Sequence, residues 1–255
     1  MEYDMNLKSK IALAVLTLTA GSSVMAQLAY NVGAVSEYRY RGIAQSALAP
    51  AVQGGVDYAH SSGFYVGAWG SQIRWIKEAG TAANVETKGD VELDLYAGYK
   101  GALTKDLSFD VGYLRYEYIG NTYKDAAPAS NVNANTDEAY GALTYGAYTA
   151  KVSYAFSDLF GYGKSSGSTY YDLSGTFDLG SGYSVVPHVG YQAIEGAANK
   201  QYSYTDYSVT LAKDLGKGLS ATIAAVGTDG KASLYKVNGR QLEAATVVLG
   251  VKYTF

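Results

Sequence analysis

The sequence predicts an all-β chain closed into an up-and-down antiparallel transmembrane β-barrel of twelve strands. Three observations carry this expectation: a period-two alternation of apolar and polar residues recurring along the chain, connections that are alternately short and long, and a last segment, VVLGVKYTF at 247–255, that ends on an aromatic residue. In that segment Val247, Leu249, Val251, Tyr253 and Phe255 share one parity, and Val248, Gly250, Lys252 and Thr254 share the other. Period two is a strand with two unlike faces. A strand this apolar, left as a free edge in water, is an aggregation hazard, so its face and both its edges need cover.

The first segment addresses the compartment. Lys8 and Lys10 precede the apolar run IALAVLTLTA at 11–20, and GSSVMAQ follows with small residues where a signal peptidase reads. Residues 1–26 therefore read as a secretory signal peptide cleaved after Ala26, with 1–4 a possible upstream start, and 27–255 as the barrel. A run of about ten apolar residues is too short for a spanning helix, which needs roughly 20. Removing 1–26 takes away Glu2, Asp4, Lys8 and Lys10, so the net charge stays at -3 and a basic nucleic-acid binder is excluded. The chain has no cysteine and hence no disulfide framework. With Tyr 26, Gly 30 and Pro 3, an exported chain of this composition reads as one large β domain.

Parity places strands at about 29–40, 51–60, 64–74, 90–100, 107–118, 137–145, 149–157, 168–178, 183–193, 203–213, 218–227 and 243–255. The alternation is clear in Val91, Leu93, Leu95, Ala97 and Tyr99 against Glu92, Asp94, Tyr96 and Lys100. It breaks after Tyr113 in LRYEY, and DEAYGALTY at 137–145 shows no clear polar face. Short turns fall at 60–63, 101–106, 145–149, 179–183 and 213–218, and long polar segments lie between them. Turns at one end and loops at the other are the pattern of bacterial outer-membrane barrels. A bilayer core cannot satisfy free backbone groups, so such a sheet must close, the last strand pairing with the first. The competing architecture is a soluble lipocalin-type barrel, whose apolar parity would point inward. Tyr38, Tyr58, Tyr99, Tyr183 and Tyr253 sit near strand ends and are expected in interfacial girdles. Gly54, Gly67, Gly98, Gly112, Gly175 and Gly190 read as packing or curvature residues.

The segments NVGAVSEYRYRGIAQS (31–46), GFYVGAWGS (63–71), LDLYAGYKG (93–101), AKVSYAFSDLFG (150–161) and TYYDLSGTFDLGSGYSVVPHVGYQ (169–192) resemble, in matching order, the TorF family of outer-membrane porins of Gcw_chp type. The resemblance implies an outer-membrane channel. It carries over no functional residue, and the loops 77–89 and 228–242 fall outside it.

Reactive chemistry is scarce. There is no thiolate nucleophile, metal-ligand spacing, phosphate loop or cofactor motif. His60 falls in a short turn and His188 on the interior parity, and no long loop holds a histidine, so neither a lipase-like nor a rim-protease arrangement is available and no catalytic residue is assigned.

The interior parity is richly charged. The expected pore-lining residues are Glu37, Arg39, Arg41, Asp57, Glu92, Asp94, Lys100, Asp172, His188 and Asp206, accompanied by Gln53, Asp110, Lys151, Asp178 and Lys252. Arg39 and Arg41, placed on strand one, would face the carboxylates of Glu92, Asp94, Asp172 and Asp206 across the pore, or pair locally, since Glu37 lies two residues from Arg39. Twelve strands about 4.8 Å apart and tilted about 40° make a ring roughly 24 Å across, leaving about 10 Å between side chains. The expected function is an outer-membrane porin, a passive diffusion channel for small hydrophilic solutes or ions. The rival is a structural or adhesive barrel with a plugged lumen and its function in the loops. Expected partners are outer-membrane lipid, lipopolysaccharide and the barrel-assembly machinery, the last reading Val251, Tyr253 and Phe255 as the assembly signal.

Overall fold

The computed structural model describes residues 27–127 and 129–255, so the expected signal peptide lies outside the described residues. Twelve wall strands run in chain order: β1 (Gln27–Val35), β2 (Ala51–Ala59), β3 (Phe64–Gln72), β4 (Val91–Ala102), β5 (Leu107–Tyr118), β6 (Thr136–Tyr145), β7 (Tyr148–Ala155), β8 in two segments (Thr169–Gly175 and Phe177–Gly180), β9 (Tyr183–Ala193), β10 (Tyr204–Gly216), β11 (Leu219–Thr228) and β12 (Thr246–Thr254). Each pairs antiparallel with its chain neighbour, and β12 returns to β1 through Asn31↔Thr254 to Val35↔Gly250. The amide of Phe255 donates to the Tyr30 carbonyl and that of Tyr30 to the Phe255 carbonyl, both at 2.9 Å. The sheet is a closed ring, which removes the edges that a flat sheet of this length would expose.

The two faces are inverted relative to a water-soluble barrel. Leu28, Val32, Val66, Leu95, Val152, Leu173, Val209 and Leu249 are 44–54% exposed on the outside. A band of that kind around the whole circumference far exceeds the few hundred Å² of apolar patch a soluble monomer tolerates, so the lipocalin alternative fails. Aromatic rings gather at the short-turn rim, where Phe64 packs on Tyr99 at 4.8 Å, Tyr148 on Phe177 at 5.6 Å, and Phe255 on both Tyr253 and Tyr30 at 5.6 and 5.7 Å. Tyr58, Tyr99, Tyr183 and Tyr253 are outward and exposed as expected, whereas Tyr38 is buried inside.

The short connections fall where the sequence places them. Ser181 and Gly182 both have positive φ (52° and 76°), as do Lys217 and Gly218 (51° and 83°), the signature of a type I′ hairpin turn, whose twist matches the flanking strands. Gly180 and Gly216, also at positive φ, precede these turns where the ladder slips by one residue, a bulge that glycine accommodates without a Cβ clash.

The long connections depart from expectation. Strand one ends at Val35 rather than near residue 40, and residues 36–50 fold into the barrel mouth as a loop carrying a small hairpin, Arg39–Tyr40 against Ile43–Ala44. The expected loop 77–89 contains most of a helix, α1 (Trp75–Ala82). Ile76 and Gly80, four apart on one face, are buried, and the Thr87 hydroxyl bonds the Ile76 carbonyl at 2.7 Å over a Gly80 with no space for a side chain. The irregular parity of LRYEY also resolves. Tyr116 and Tyr118 are buried inside, while Arg115 and Glu117 face out and pair with each other and with Asp137 of β6, Arg115 to Asp137 at 2.6 Å.

Adjacent residues of β12 test the inside–outside assignment. Val248 is half-buried within the ring and Leu249 is exposed outside. A lysine near the midplane of a bilayer costs about 2–4 kcal/mol on the lipid face and little in a hydrated interior. Leu249→Lys is therefore expected to lower the yield of folded barrel, read as heat-modifiable gel migration, while Val248→Lys folds at near wild-type yield. Equal loss in both variants would show that the two faces are misassigned.

Candidate functional site

The middle of the interior wall is built from one repeated unit. Tyr96 of β4 lies flat across Gly67 of β3, where a Cβ has no room, and donates to Asp57 of β2 at 2.5 Å; Asp57, Gly67 and Tyr96 are directly opposite one another in the ladder. Tyr65 of β3 lies in the same way over Gly98 of β4 and donates to Asp110 of β5 at 2.5 Å, meeting the hydroxyl of Tyr140, which lies over Gly112. Tyr170 of β8 lies over Gly190 of β9 and donates to Asp206 of β10 at 3.0 Å. Each unit ties three strands through a phenol and a carboxylate, and such charge-assisted bonds are each worth about 1.5–3 kcal/mol.

Basic groups sit among these units. The ammonium of Lys151 stands 4.0 Å from the Tyr140 ring centre and that of Lys100 5.1 Å from the Tyr65 ring centre, the favourable side of an aromatic quadrupole. His188 bonds Asp172 at 2.8 Å through Nε2 and approaches Asp206 at 3.6 Å through Nδ1. Asp57, Asp110, Lys151, Asp172, His188 and Lys252 are all half-buried rather than sealed, so the central interior is reached by solvent.

At the long-loop end the interior is crossed by residues 36–50. The backbone at Gly42 lies against Asp206 of β10 and Thr228 of β11 with no room for a side chain, and both Arg41 (φ +46°) and Gly42 (φ +77°) take the left-handed conformation that turns the loop tip. From there Arg41 reaches Glu138 of β6 with two hydrogen bonds, at 2.9 and 2.7 Å, and the Gln192 side-chain oxygen of β9 at 2.7 Å. Its guanidinium also stacks on Tyr170 at 4.2 Å and Tyr40 at 4.9 Å. A planar fork on a carboxylate with ring faces on either side is the environment arginine suits and lysine does not. On the opposite side Tyr38 packs edge-on against Trp69, and its hydroxyl donates to Glu92 at 3.0 Å.

Other loops lock this one in place. Ala44 N and Arg39 Nη1 both donate to the Leu242 carbonyl at 2.9 Å, and Arg240 Nη1 donates to the Ala47 carbonyl at 2.8 Å. Phe160, from the loop after β7, packs against Tyr40 and Tyr116. The loop end is thus a packed polar plug in which Ser46, Glu92, Thr136, Glu138, Ser165 and Gln192 are all nearly inaccessible.

Of the sequence-assigned interior residues, Glu37, Asp57, Glu92, Asp94, Lys100, Asp172, His188 and Asp206 lie within the ring or its mouth, as do Gln53, Asp110, Lys151 and Lys252. Asp178 is the exception: it is exposed at the short-turn rim and caps the Gly180 amide at 2.7 Å. Arg39 and Arg41 are inside but stand on the loop instead of the wall. Arg39 pairs with Glu37 at 2.7 Å, and only Arg41 spans the mouth, to a Glu138 that parity did not single out. Parity sets Tyr96 on the polar face without giving it a partner, and it does not single out Tyr116, Tyr65, Tyr140 or Tyr170. Glycine opposite tyrosine in adjacent strands is the signal for Tyr65, Tyr96 and Tyr140; Tyr170 stands opposite Gln192 and reaches Gly190 diagonally. Val251, Tyr253 and Phe255 all point outward and are exposed. Among the described residues no group of three or more His, Cys, Asp or Glu is arranged to hold a metal ion.

Solved structures with this architecture include two porins. The KdgM porin aligns with a TM-score of 0.54 at 10% identity over 89% of this chain and 98% of that chain, and the NanC porin with a TM-score of 0.54 at 11% identity over 90% and 99%. One further KdgM structure, with a TM-score of 0.53 at 8% identity over 89% and 98%, is in complex with disordered oligogalacturonate. No curated protein matches the chain. The profile described as a bacterial protein of unknown function (Gcw_chp) matches residues 19–255, and the chain belongs to that family.

Proposed function

We propose that this chain is an outer-membrane porin, a passive diffusion channel for small hydrophilic solutes or ions. The observation that carries this reading is the closed ring with an apolar exterior and a charged, solvent-reached interior. A protein of that form is stable in a bilayer and offers a path of water through it. The long loops face outside the cell and the short turns the periplasm. Residues 1–26 direct export as a cleaved signal peptide, lipid and lipopolysaccharide surround the outer band, and the resemblance to the TorF porins fits this assignment. Among the described residues, those named above within the ring and its mouth comprise eight carboxylates (Glu37, Asp57, Glu92, Asp94, Asp110, Glu138, Asp172 and Asp206) and five fixed bases (Arg39, Arg41, Lys100, Lys151 and Lys252). This excess, focused between low-dielectric walls, favours cations and disfavours a polyanionic solute of the kind found with the KdgM porin. A second reading, a plugged barrel with its function in the loops, draws on the packing of residues 36–50 across the mouth.

Planar-bilayer recording of the refolded protein separates the two. Discrete ohmic steps with a cation-selective reversal potential in a KCl gradient are expected; a barrel that inserts and stays silent overturns the channel. Replacing Arg41 removes the cross-mouth tie and leaves Glu138 uncompensated, a local loss of about 3–5 kcal/mol for a buried pair. Arg41→Ala is accordingly expected to raise both conductance and cation selectivity, with a smaller effect from Arg39→Ala, whose partner Glu37 is local. No change in either quantity in Arg41→Ala would mean that Arg41 does not bound the path.

The outward, ring-stacked end of β12 supports its role as the signal read by the barrel-assembly machinery. Deleting Phe255 is expected to reduce the amount of folded barrel in the membrane and to leave the conductance of each assembled molecule unchanged. Normal folded yield would count against that role.

A further inference from the structure

The interior wall places a histidine between two aspartates of the neighbouring strands. From β9, His188 bonds Asp172 of β8 at 2.8 Å through Nε2 and stands 3.6 Å from Asp206 of β10 through Nδ1, the first a hydrogen bond and the second an ion-pair contact. The Tyr170 hydroxyl completes the group, 3.2 Å from Nε2 and donating to Asp206 at 3.0 Å. A neutral imidazole carries a proton on one nitrogen only and would turn a lone pair toward one of the two carboxylates, whereas the imidazolium has a donor for each. The ladder partners of His188 itself, Ser174 and Ser208, are neutral. Other bases near the group are committed elsewhere. Lys151 of β7 is opposite Asp172 in the ladder, yet its ammonium stands over the Tyr140 ring. Arg41 of the mouth loop lies on the Tyr170 ring and is paired with Glu138. Among the described residues the only ion-pair contacts of Asp172 and Asp206 are those with His188. The two aspartates are thus balanced by a charge that one proton makes and removes.

We propose that His188 is the residue that sets the ion selectivity of this lumen according to pH, an inference that rests on the channel reading above. The side chains of His188 and Asp172 are 17% and 23% exposed, so both the proton and a passing ion reach them from the water of the interior. Protonated, His188 leaves itself and the two aspartates with one net negative charge; deprotonated, it leaves two. Between low-dielectric walls that difference acts directly on ion entry. Cation preference therefore rises as the pH climbs through the titration of His188 and falls as it drops. Carboxylates lose their charge in the same direction, but ordinarily near about pH 4, and lysines ordinarily titrate near about pH 10.4, so the span from about pH 5.5 to about pH 9 is ordinarily histidine's. A buried carboxylate that titrates within that span goes on doing so when His188 is replaced, which separates the two contributions.

The test is the reversal potential of the refolded barrel under a KCl gradient, recorded from about pH 5.5 to about pH 9. Wild type is expected to raise its potassium-to-chloride permeability ratio at least about twofold across that span. His188→Gln, which keeps a polar side chain but no titrating ring, is expected to lose that step. His60→Gln, in the exposed short turn, should keep it. That second variant leaves His188 as the only histidine of the chain, so nitrogen NMR of histidine-labelled protein reads its ring directly. Both nitrogens are expected to be protonated at the acid end, one proton leaving over the pH range in which the reversal potential moves. This measurement decides the matter even if His188→Gln does not fold. An ohmic channel whose selectivity is flat with pH, a step that survives in His188→Gln, or a His188 ring that keeps one protonation state throughout overturns the proposal and leaves the channel standing. A barrel that inserts and stays silent overturns both.

Discussion

Closure of the backbone ladder is the constraint from which the rest of this structure follows. Once β12 pairs with β1, every strand has two partners, and the peptide groups that would otherwise need water are satisfied within the wall. Side chains are then free to be apolar outside and polar inside, the reverse of a soluble domain. The seam is tight: a Cβ on Gly33 would come within 2.7 Å of the Val251 carbonyl oxygen, so close approach of the first and last strands depends on a residue without one.

Within that ring the two ends solve different problems. The short-turn end uses stiff hairpins and stacked rings to meet an interface. The long-loop end collects inward-facing polar side chains from β4, β5, β6 and β9, together with residues 36–50, into a hydrogen-bonded plug. Arg41 is central to it because one guanidinium satisfies Glu138 and Gln192 and lies on aromatic faces at once. Half-satisfied polar networks are costly, and here Tyr38 donates to Glu92, whose carboxyl group also bonds that of Asp94.

Much of this was legible in the sequence, for a physical reason. A barrel wall has strict period two, and its register is carried by turns with demanding residue types, so strands such as 107–118 and 183–193 were placed to the residue. The mouth was not legible. Residues 36–40 continue the alternation of β1, with Glu37 and Arg39 on the interior parity, and nothing local marks Val35 as the last wall residue; packing of Tyr38 on Trp69 and the tie to Leu242 decide it. Helix α1 was hidden because two of its eight residues, Gly80 and Thr81, are poor helix formers, and it is held by burial of Ile76 instead of by propensity. DEAYGALTY showed no polar face because Asp137 serves the outer pair with Arg115 while Glu138 serves the mouth, so adjacent acids point in opposite directions.

The tyrosines lying over glycines have a mechanical consequence. Hydrogen bonds between strands resist stretching along the ring but bend easily, so a backbone cylinder alone would flatten under the lateral pressure of surrounding acyl chains. A phenol that spans a glycine strand and grips a carboxylate on the next acts as a strut across the bend, fixing the dihedral between successive strands. Such struts stand over β3, β4 and β9. They stiffen two arcs, β2 to β6 and β8 to β10, while β7 and the longer arc from β11 through β12 to β1 have no strut of this kind among the described residues, so bending of the cylinder concentrates there.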